Sequence, residues 1–138
     1  MTTIKEIGDT LPELHKQVTQ EQIERYARAS GDFNPIHLDP EFAEQSSFGR
    51  IVAHGMLILS FLSEMLTTSF GQSWLENGRL KVRFRSPVYP GDVVTAFGSV
   101  TKVTETDEGH RVVCVIGCRN QNGEAVISGE ASLYPNSE

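Results

Sequence analysis

An apolar segment lies near the middle of the chain, between two regions that have different hydrophobic periods. Residues 55–70, GMLILSFLSEMLTTSF, contain one charged residue, Glu64. A helix that is apolar on nearly every side is buried, because it has no face for water. At 1.5 Å per residue it would be roughly 24 Å long, too short and too rich in Ser and Thr for a membrane span. The pattern predicts the central helix of a core, ending at Gly71.

The region before this helix predicts two shorter helices with a polar loop between them. Thr19 begins T-Q-E-Q, a capping-box pattern, and apolar residues follow at helical spacing. Gly31 is suited to end that helix in a left-handed conformation. Asp39 and Pro40 predict a second, short helix, with Asp39 as its N-cap. Residues 30–39, SGDFNPIHLD, are therefore predicted as a stiff polar loop near the start of the central helix.

The C-terminal half changes to a period of two, which indicates strands. In residues 79–85, R-L-K-V-R-F-R, the alternation predicts Leu80, Val82 and Phe84 on the inner face and four cations on the outer face. Asn122-Gly123 is a strong hairpin signal. Further strands are predicted at 13–18, 93–106, 111–119 and 124–134.

Helices followed by an antiparallel meander predict an α+β domain, a curved antiparallel sheet wrapped around the central helix. No repeat or linker divides the sequence, so residues 1–138 are predicted to form one domain. Such a sheet leaves edges that need cover. Pairing of edges between two copies is a usual solution, so we expect a homodimer, with assemblies of dimers also open.

Composition narrows the function classes. Twelve Lys and Arg against eighteen Asp and Glu give a net charge of −6, which suits neither nucleic acid nor an anionic membrane surface. The N-terminal sequence has neither an apolar signal core nor an Arg-rich transit pattern. Cys114 and Cys118 lie four apart in a predicted strand, without metal-site spacing, and are expected to be buried free thiols. A cytoplasmic location is predicted.

The polar loop carries residues suited to proton transfer. Asp32 and His37 are five residues apart across a bend stiffened by Pro35, so both side chains can reach one small volume. A carboxylate and an imidazole that share a water molecule can move protons near neutral pH. Asn34 is suited to brace the loop. Gly55 begins the central helix, where exposed N–H groups favour developing negative charge. The combination favours addition or loss of water next to a carbonyl.

These residues resemble a known family. G-D-F-N-P-I-H-L-D, followed by I-V-A-H-G-M and by F-R-S-P-V-Y-P-G-D, closely resembles the MaoC-like hydratase/dehydratase family, and in particular the R-specific enoyl-CoA hydratases. The motifs occur in family order over nearly the whole chain. The resemblance implies the hot-dog fold and reversible syn hydration of a trans-2-enoyl thioester to the (R)-3-hydroxyacyl thioester. It implies no metal and no redox cofactor.

The resemblance also implies roles for individual residues. The catalytic Asp and His of the family fall on Asp32 and His37, and the Asn between them falls on Asn34. The backbone donor for the thioester carbonyl falls on Gly55, and a helix serine near the site falls on Ser63. For Ser63 the alternative is a hydroxyl bonded back to its own helix.

Other residues near these motifs have weaker signals. Met56, Arg83 and Arg85 are candidate substrate-binding residues. For the two arginines the reason is that the guanidinium geometry suits the phosphates of coenzyme A. A solvated strand face is the alternative for the two arginines. His54, next to Gly55, is interpreted as an ordinary helix-start residue.

Four functions stay open from the sequence. The first is an enoyl-CoA hydratase, and the second is a (3R)-hydroxyacyl dehydratase that acts on acyl carrier protein. The third is a hot-dog thioesterase, which the pattern Asp-x-Asn-Pro-x-His argues against. The fourth is a non-catalytic module that binds acyl thioesters.

Overall fold

The computed structural model describes residues 6–135. The predicted domain 1–138 extends over both ends outside this range, and the N-terminal targeting prediction falls partly on residues 1–5. In chain order the elements are β1 Leu14–Gln17, α1 Gln20–Ser30, α2 Pro35–Leu38, α3 Pro40–Glu44, α4 Gly55–Phe70, α5 Gln72–Asn77, β2 Arg79–Phe84, β3 Val93–Thr106, β4 Gly109–Arg119 and β5 Ala125–Leu133.

The strands form an antiparallel sheet in the order β1-β3-β4-β5-β2. This order makes β1 and β2 its edges. The register shifts between Val100 and Lys102 in β3 and between Cys118 and Arg119 in β4. Such irregularities bend strands and increase their twist. Helix α4 packs against β1, β3 and β4. The predicted α+β class is confirmed.

Helix α4 is the predicted central helix, with one difference in its burial. The residues that it buries are Leu57, Ile58, Phe61, Leu62, Met65, Leu66, Ser69 and Phe70. Every fourth residue is exposed, however, at Met56, Ser60, Glu64 and Thr68. Glu64 forms an ion pair with Lys16 of β1, at 3.1 Å. The helix is therefore covered on most of its circumference but not all, because the sheet packs on one side only. Within residues 6–135, no helix is long and apolar enough to cross a bilayer.

The predicted ends of α1 are confirmed, but its capping box is one-sided. The backbone N–H of Gln22 donates to the Thr19 hydroxyl at 3.1 Å, and Gly31 ends the helix with φ +79°. The reciprocal bond from the Gln22 side chain does not form: its Oε1 is buried without a hydrogen-bond partner in the described part of the chain.

Three features differ from the sequence prediction. Residues Pro35–Leu38 form a short helix inside the predicted loop, and Gln72–Asn77 form another after Gly71. Phe84 is not an interior residue, since its side chain stays 54% exposed. It has the inward register, opposite the buried Ile127, but it lies at the end of the edge strand β2 and lines the cavity that also contains Gly55.

Both cysteines are buried free thiols, as predicted. Burial raises the pKa of Cys114 to about 11 and that of Cys118 to about 12. Since the thiolate is the reactive form, neither side chain is poised to act as a nucleophile.

Candidate active site

The loop after α1 is organised by short side chains that bond to nearby backbone N–H groups. The Asp32 N–H donates to Ser30 Oγ at 3.2 Å, and Asp32 Oδ1 accepts from the Asn34 N–H at 3.2 Å. Asn34 Oδ1 in turn accepts from the Ile36 N–H at 3.0 Å, which caps α2. Asn34 precedes a proline and is therefore held outside the helical region. These bonds present the Asp32 carboxylate at an exposed position and support the bracing role predicted for Asn34.

The imidazole of His37 is held in one tautomer. His37 lies in α2 and is half-buried, and its Nδ1 is 2.7 Å from the carbonyl oxygen of Val52. A carbonyl oxygen only accepts, so Nδ1 carries the proton. In the neutral ring Nε2 is then unprotonated and can accept a proton. The bond thus leaves Nε2 available to accept a proton.

Val52 and its neighbour connect this histidine to two other segments. The Val52 N–H donates to the Ile36 carbonyl at 3.3 Å, and the Ala53 N–H donates to the Val88 carbonyl at 2.8 Å. Val88 lies in the connection between β2 and β3. The segment that positions His37 is consequently tied to both α2 and the β2–β3 connection.

Asp32 and His37 come close enough to act on the same molecule. One ligand atom from each of Asp32, His37 and His54 lies within 4.8 Å of the other two. A water molecule that bridges two groups makes two hydrogen bonds of about 2.8 Å, so a carboxylate and an imidazole at this separation can hold one between them.

His54 is the site residue that sequence reasoning missed. It is the N-cap of α4 and is 2% exposed. Its Nε2–H donates to the backbone carbonyl of Asp32 at 3.0 Å. Its ring stacks on that of His37, with centroids 3.8 Å apart and planes at 26°, and it also contacts the ring of Tyr26. The signal for His54 in the sequence was its position next to Gly55 in the family motif. Its contacts could not be read there, because they are tertiary and involve residues 17 to 28 positions away.

The surroundings of His54 disfavour its charged form. Burial lowers the pKa of His54, and the electrostatic interaction with His37 acts in the same direction. The backbone carbonyl and the carboxylate of Asp32 raise it, without cancelling the effect of burial. His54 is therefore neutral near pH 7.

Acid is expected to destabilise the fold through His54. Because the folded pKa lies below the ordinary value of 6.5, the unfolded chain binds a proton there that the folded protein does not. The contribution of neutral His54 to the free energy of unfolding is complete above the ordinary pKa of 6.5. It is lost as the pH falls from there toward the folded pKa. Urea unfolding between about pH 7.5 and about pH 5.5 should show a smaller loss of unfolding free energy for His54→Gln than for the wild type. Equal losses would contradict this.

Gly55 lies next to a cavity of about 320 Å³. As the first residue of α4 it has an N–H without an acceptor in its own helix. A methyl group at Gly55 would meet the Phe84 ring, with 3.1 Å to Cε1. The cavity is lined largely by apolar side chains, among them Val52, Ile58, Phe84 and Val88. Its size is that of a small-molecule site.

Comparison with known proteins agrees with the motifs and the fold. The profile of the family described as "MaoC like domain" matches residues 4–119. This chain belongs to the MaoC-like family. The resemblance to this family that the sequence motifs indicated is thereby confirmed.

Two relatives and one solved structure illustrate the similarity. The MaoC-like chain is 34% identical over 137 residues to the mitochondrial 3-hydroxyacyl-[acyl-carrier-protein] dehydratase of Arabidopsis thaliana, with 97% of this chain and 80% of the relative covered. It is 35% identical over 121 residues to the (R)-specific enoyl-CoA hydratase of Aeromonas caviae, covering 86% and 87%. The structure of the (R)-hydratase from A. caviae involved in PHA biosynthesis superposes with a TM-score of 0.81 at 30% identity, covering 98% and 100%. The hot-dog fold is confirmed.

The remaining predicted site residues of the MaoC-like chain are not part of the cluster of Asp32, His37 and His54. Ser63 is eight residues along α4 from Gly55, about 12 Å, and its hydroxyl accepts from the Trp74 indole N–H at 3.4 Å. Met56 is 57% exposed at the start of α4. Arg85 lines the cavity beside Gly55, and its Nε–H donates to Ser128 Oγ at 2.8 Å. Arg83 is exposed on β2 and shares with Arg85 a second cavity of about 330 Å³.

The cluster of Asp32, His37 and His54 also has the donor types of a metal site. One nitrogen of each imidazole is already engaged by a backbone carbonyl, His37 Nδ1 by Val52 and His54 Nε2 by Asp32. Chemistry without a metal stays a prediction.

Proposed function

We propose that the protein catalyses the reversible syn hydration of a trans-2-enoyl-CoA to the (R)-3-hydroxyacyl-CoA. The supporting observation is the meeting of the Asp32 carboxylate and the His37 imidazole within 4.8 Å of one another, beside the first residue of α4. The relationship to an (R)-specific enoyl-CoA hydratase agrees with this reaction. Hydration is accordingly assigned to the Asp32–His37 pair.

In the proposed mechanism, Asp32 and His37 hold one water molecule above C3 of the enoyl group. The water oxygen bonds to C3 while the pair takes one of its protons, and the pair returns a proton to C2 on the same face. The unprotonated Nε2 of His37 suits it to accept, because Val52 holds the proton on Nδ1. The N–H of Gly55 stabilises the negative charge on the thioester oxygen. The sum of the steps adds one H₂O to the double bond.

These contributions are large enough for a useful enzyme. General acid and base groups typically supply about 10²–10⁴ in rate, and one oxyanion donor supplies about 10²–10³. The protonation states needed are a carboxylate and a neutral imidazole, which coexist near neutral pH.

The deciding experiment is a chain-length series of trans-2-enoyl-CoA substrates. Loss of the conjugated thioester absorbance measures hydration, and chiral analysis of the product reads its stereochemistry. We expect turnover of short acyl chains to (R)-3-hydroxy products. A wild-type protein that hydrates none of them, or that forms the (S) product, would overturn the proposal.

A dehydratase acting on acyl carrier protein is the second candidate, because the relative with that name aligns with 97% of this chain. The same acyl group presented on coenzyme A and on carrier protein separates the two. Release of free thiol would instead indicate a thioesterase. Tight ligand binding without turnover, unchanged by substitution of Asp32 or His37, would indicate a binding module.

The phosphate-bearing part of the substrate, coenzyme A in the leading proposal, is proposed to lie along the end of β2. Arg83 and Arg85 flank the cavities there, and Arg geometry suits phosphate oxygens. Met56, exposed at the start of α4, is proposed to contact the substrate near Gly55. A cytoplasmic location and a supporting role for Ser63 stay predictions.

A second copy of the chain is the proposed partner. Large apolar side chains are exposed at Phe33, Phe42, Phe48, Met56 and Phe84. Phe48 and Phe84, the last residue of edge strand β2, line the same cavity as Gly55, and exposed apolar patches mark interaction surfaces. Analytical ultracentrifugation should therefore give a dimer or an assembly of dimers for the wild type, and Phe84→Asp should shift it toward monomer. A monomeric wild type would overturn this part of the proposal.

Gly55→Ala is expected to weaken catalysis while the protein stays folded. The variant keeps the backbone N–H but places a methyl group 3.1 Å from the Phe84 ring, where the thioester is proposed to approach. Misplacement of about 1 Å can cost up to 10²-fold in rate, so kcat/KM should fall at least severalfold at an unchanged melting temperature. Wild-type kcat/KM would show that the substrate does not approach this backbone.

A further inference from the structure

The buried imidazole of His54 makes contacts that an ordinary helix start does not need. Ser, Thr, Asp and Asn are preferred at the N-cap because their side chains accept from the first N–H groups. His54 occupies this position in α4 without making any such bond. Its Nδ1 is also buried with no hydrogen-bond partner among residues 6–135. An unsatisfied buried nitrogen costs stability, so a histidine here is explained by its other contacts.

We propose that His54 is a positioning residue, a neutral imidazole that holds the Asp32 backbone and the His37 ring in a fixed relation to the first turn of α4. The inference rests on the proposed hydration, because it assigns His54 a task in that reaction. His54 itself is not proposed to exchange a proton with substrate.

The hydrogen bond and the stack act on the two members of the pair separately. The Nε2–H of His54 donates to the carbonyl of Asp32 at 3.0 Å, which fixes the backbone from which the carboxylate projects. The ring of His54 stacks on that of His37 with centroids 3.8 Å apart. His37 is held in addition by the hydrogen bond from its Nδ1–H to the Val52 carbonyl. One side chain thereby sets the separation between carboxylate and imidazole, on which a shared water molecule depends.

The neutral state of His54 matters for the reaction. The ionisable groups that face it are Tyr26, Asp32 and His37. When the pair has taken a proton from water, positive charge develops at His37. A second cation 3.8 Å away would oppose that step, since like charges repel strongly in a low-dielectric environment. Burial of His54 lowers its pKa and so removes this opposition.

His54 also precedes Gly55 directly in the chain. The residue that fixes the acid/base pair is therefore covalently joined to the residue whose N–H is proposed to hold the thioester oxygen. Movement of the His54 side chain would alter the geometry between the two halves of the site. Because near-attack geometry affects the chemical step more than binding, loss of His54 should lower kcat more than it raises KM.

Two substitutions separate the stack from the hydrogen bond. His54→Phe keeps an aromatic ring but loses the donor, and His54→Gln keeps a donor near the Nε2 position but loses the ring. We expect kcat for a short enoyl-CoA to fall about 10–10²-fold in His54→Phe, with KM changed much less, and a smaller loss in His54→Gln. His110→Gln, which removes an exposed histidine at the start of β4, is the matched control and should behave as wild type.

Nitrogen NMR of the histidine rings gives a readout that a merely structural role would not move. In the wild type at pH 7, His54 should be a neutral ring protonated on Nε2, and His37 should be protonated on Nδ1. In His54→Phe the His37 tautomer should change. A charged His54 or one protonated on Nδ1, or a His54→Phe enzyme with wild-type kcat, would overturn the inference.

The possible failures are distinguishable. An active wild type with an equally active His54→Phe refutes only the role of His54, whereas a wild type that hydrates no enoyl thioester refutes the proposed function and this inference with it. If both variants fail to fold, the tautomer of His54 in the wild-type protein decides.

Discussion

Asp32→Asn is expected to lower the turnover of a short trans-2-enoyl-CoA by about 10³-fold or more, within the range of a lost general acid/base group. The amide has nearly the same shape as the carboxylate, but it has no negative charge with which to hold and deprotonate water. Its oxygen can still accept from the Asn34 N–H, the bond that Asp32 Oδ1 makes at 3.2 Å. The loop should therefore keep its form, and the melting temperature should change little.

Asp39→Asn is the matched control for this variant. Asp39 is an aspartate of the same segment, and its Oδ1 accepts from the N–H groups of Glu41 and Phe42 at the start of α3. Asparagine is an equally good cap, so activity and stability should both be retained. Wild-type turnover in Asp32→Asn, measured by the thioester absorbance, would remove the proposed mechanism.

His37→Gln is expected to have an effect of similar size, about 10²–10⁴-fold on kcat. Glutamine cannot take a proton from water, and it also loses the ring that stacks on His54. The measurement is kcat for a short trans-2-enoyl-CoA, compared between the wild type and the variant. His15→Gln, at an exposed position on β1, controls for the loss of a histidine elsewhere.

Turnover within a small factor of wild type in a folded His37→Gln protein would contradict the assignment of His37. His54 is the nearest alternative imidazole, and its variants would show the effect instead.

The parts of the fold that depend on local physics could be predicted from the sequence. Thr19 and Gly31 are residue types preferred at the start and the end of a helix, so the bounds of α1 could be predicted from the residues themselves. Strand β3 was predicted at 93–106 and is found at Val93–Thr106, because turn residues bound a long β-rich run. The apolar composition of 55–70 similarly identified α4.

The parts that depend on tertiary surroundings could not be predicted. Alternation gives the face on which Phe84 lies, but not that the strand ends there and leaves the ring half uncovered. Ser60, Glu64 and Thr68 recur every fourth residue in α4, but polar residues at this spacing do not tell how much of the helix surface the rest of the fold leaves exposed. Helix α2 has only four residues, too few for a periodic signal.

The candidate site divides in the same way. The spacing of Asp32 and His37 across a proline bend indicated a shared volume, and the family motifs indicated the same pair. The environment of His54 was invisible, since its burial, its stack and its bond to the Asp32 carbonyl all arise from segments distant in the chain. A histidine beside the Gly of a helix start is in itself unremarkable.

The bonds from His37 to Val52, and from Ala53 to Val88, have a consequence for how the protein responds to heat. Loops that rest loosely on a scaffold can open on their own, at a free energy well below that of the whole fold. Here the segment that orients the imidazole is bonded to the buried Val88 in the connection between β2 and β3, so it has little freedom to detach first. Inactivation on warming should accordingly coincide with cooperative melting of the core, without an earlier, reversible stage in which an intact fold has lost its catalytic power.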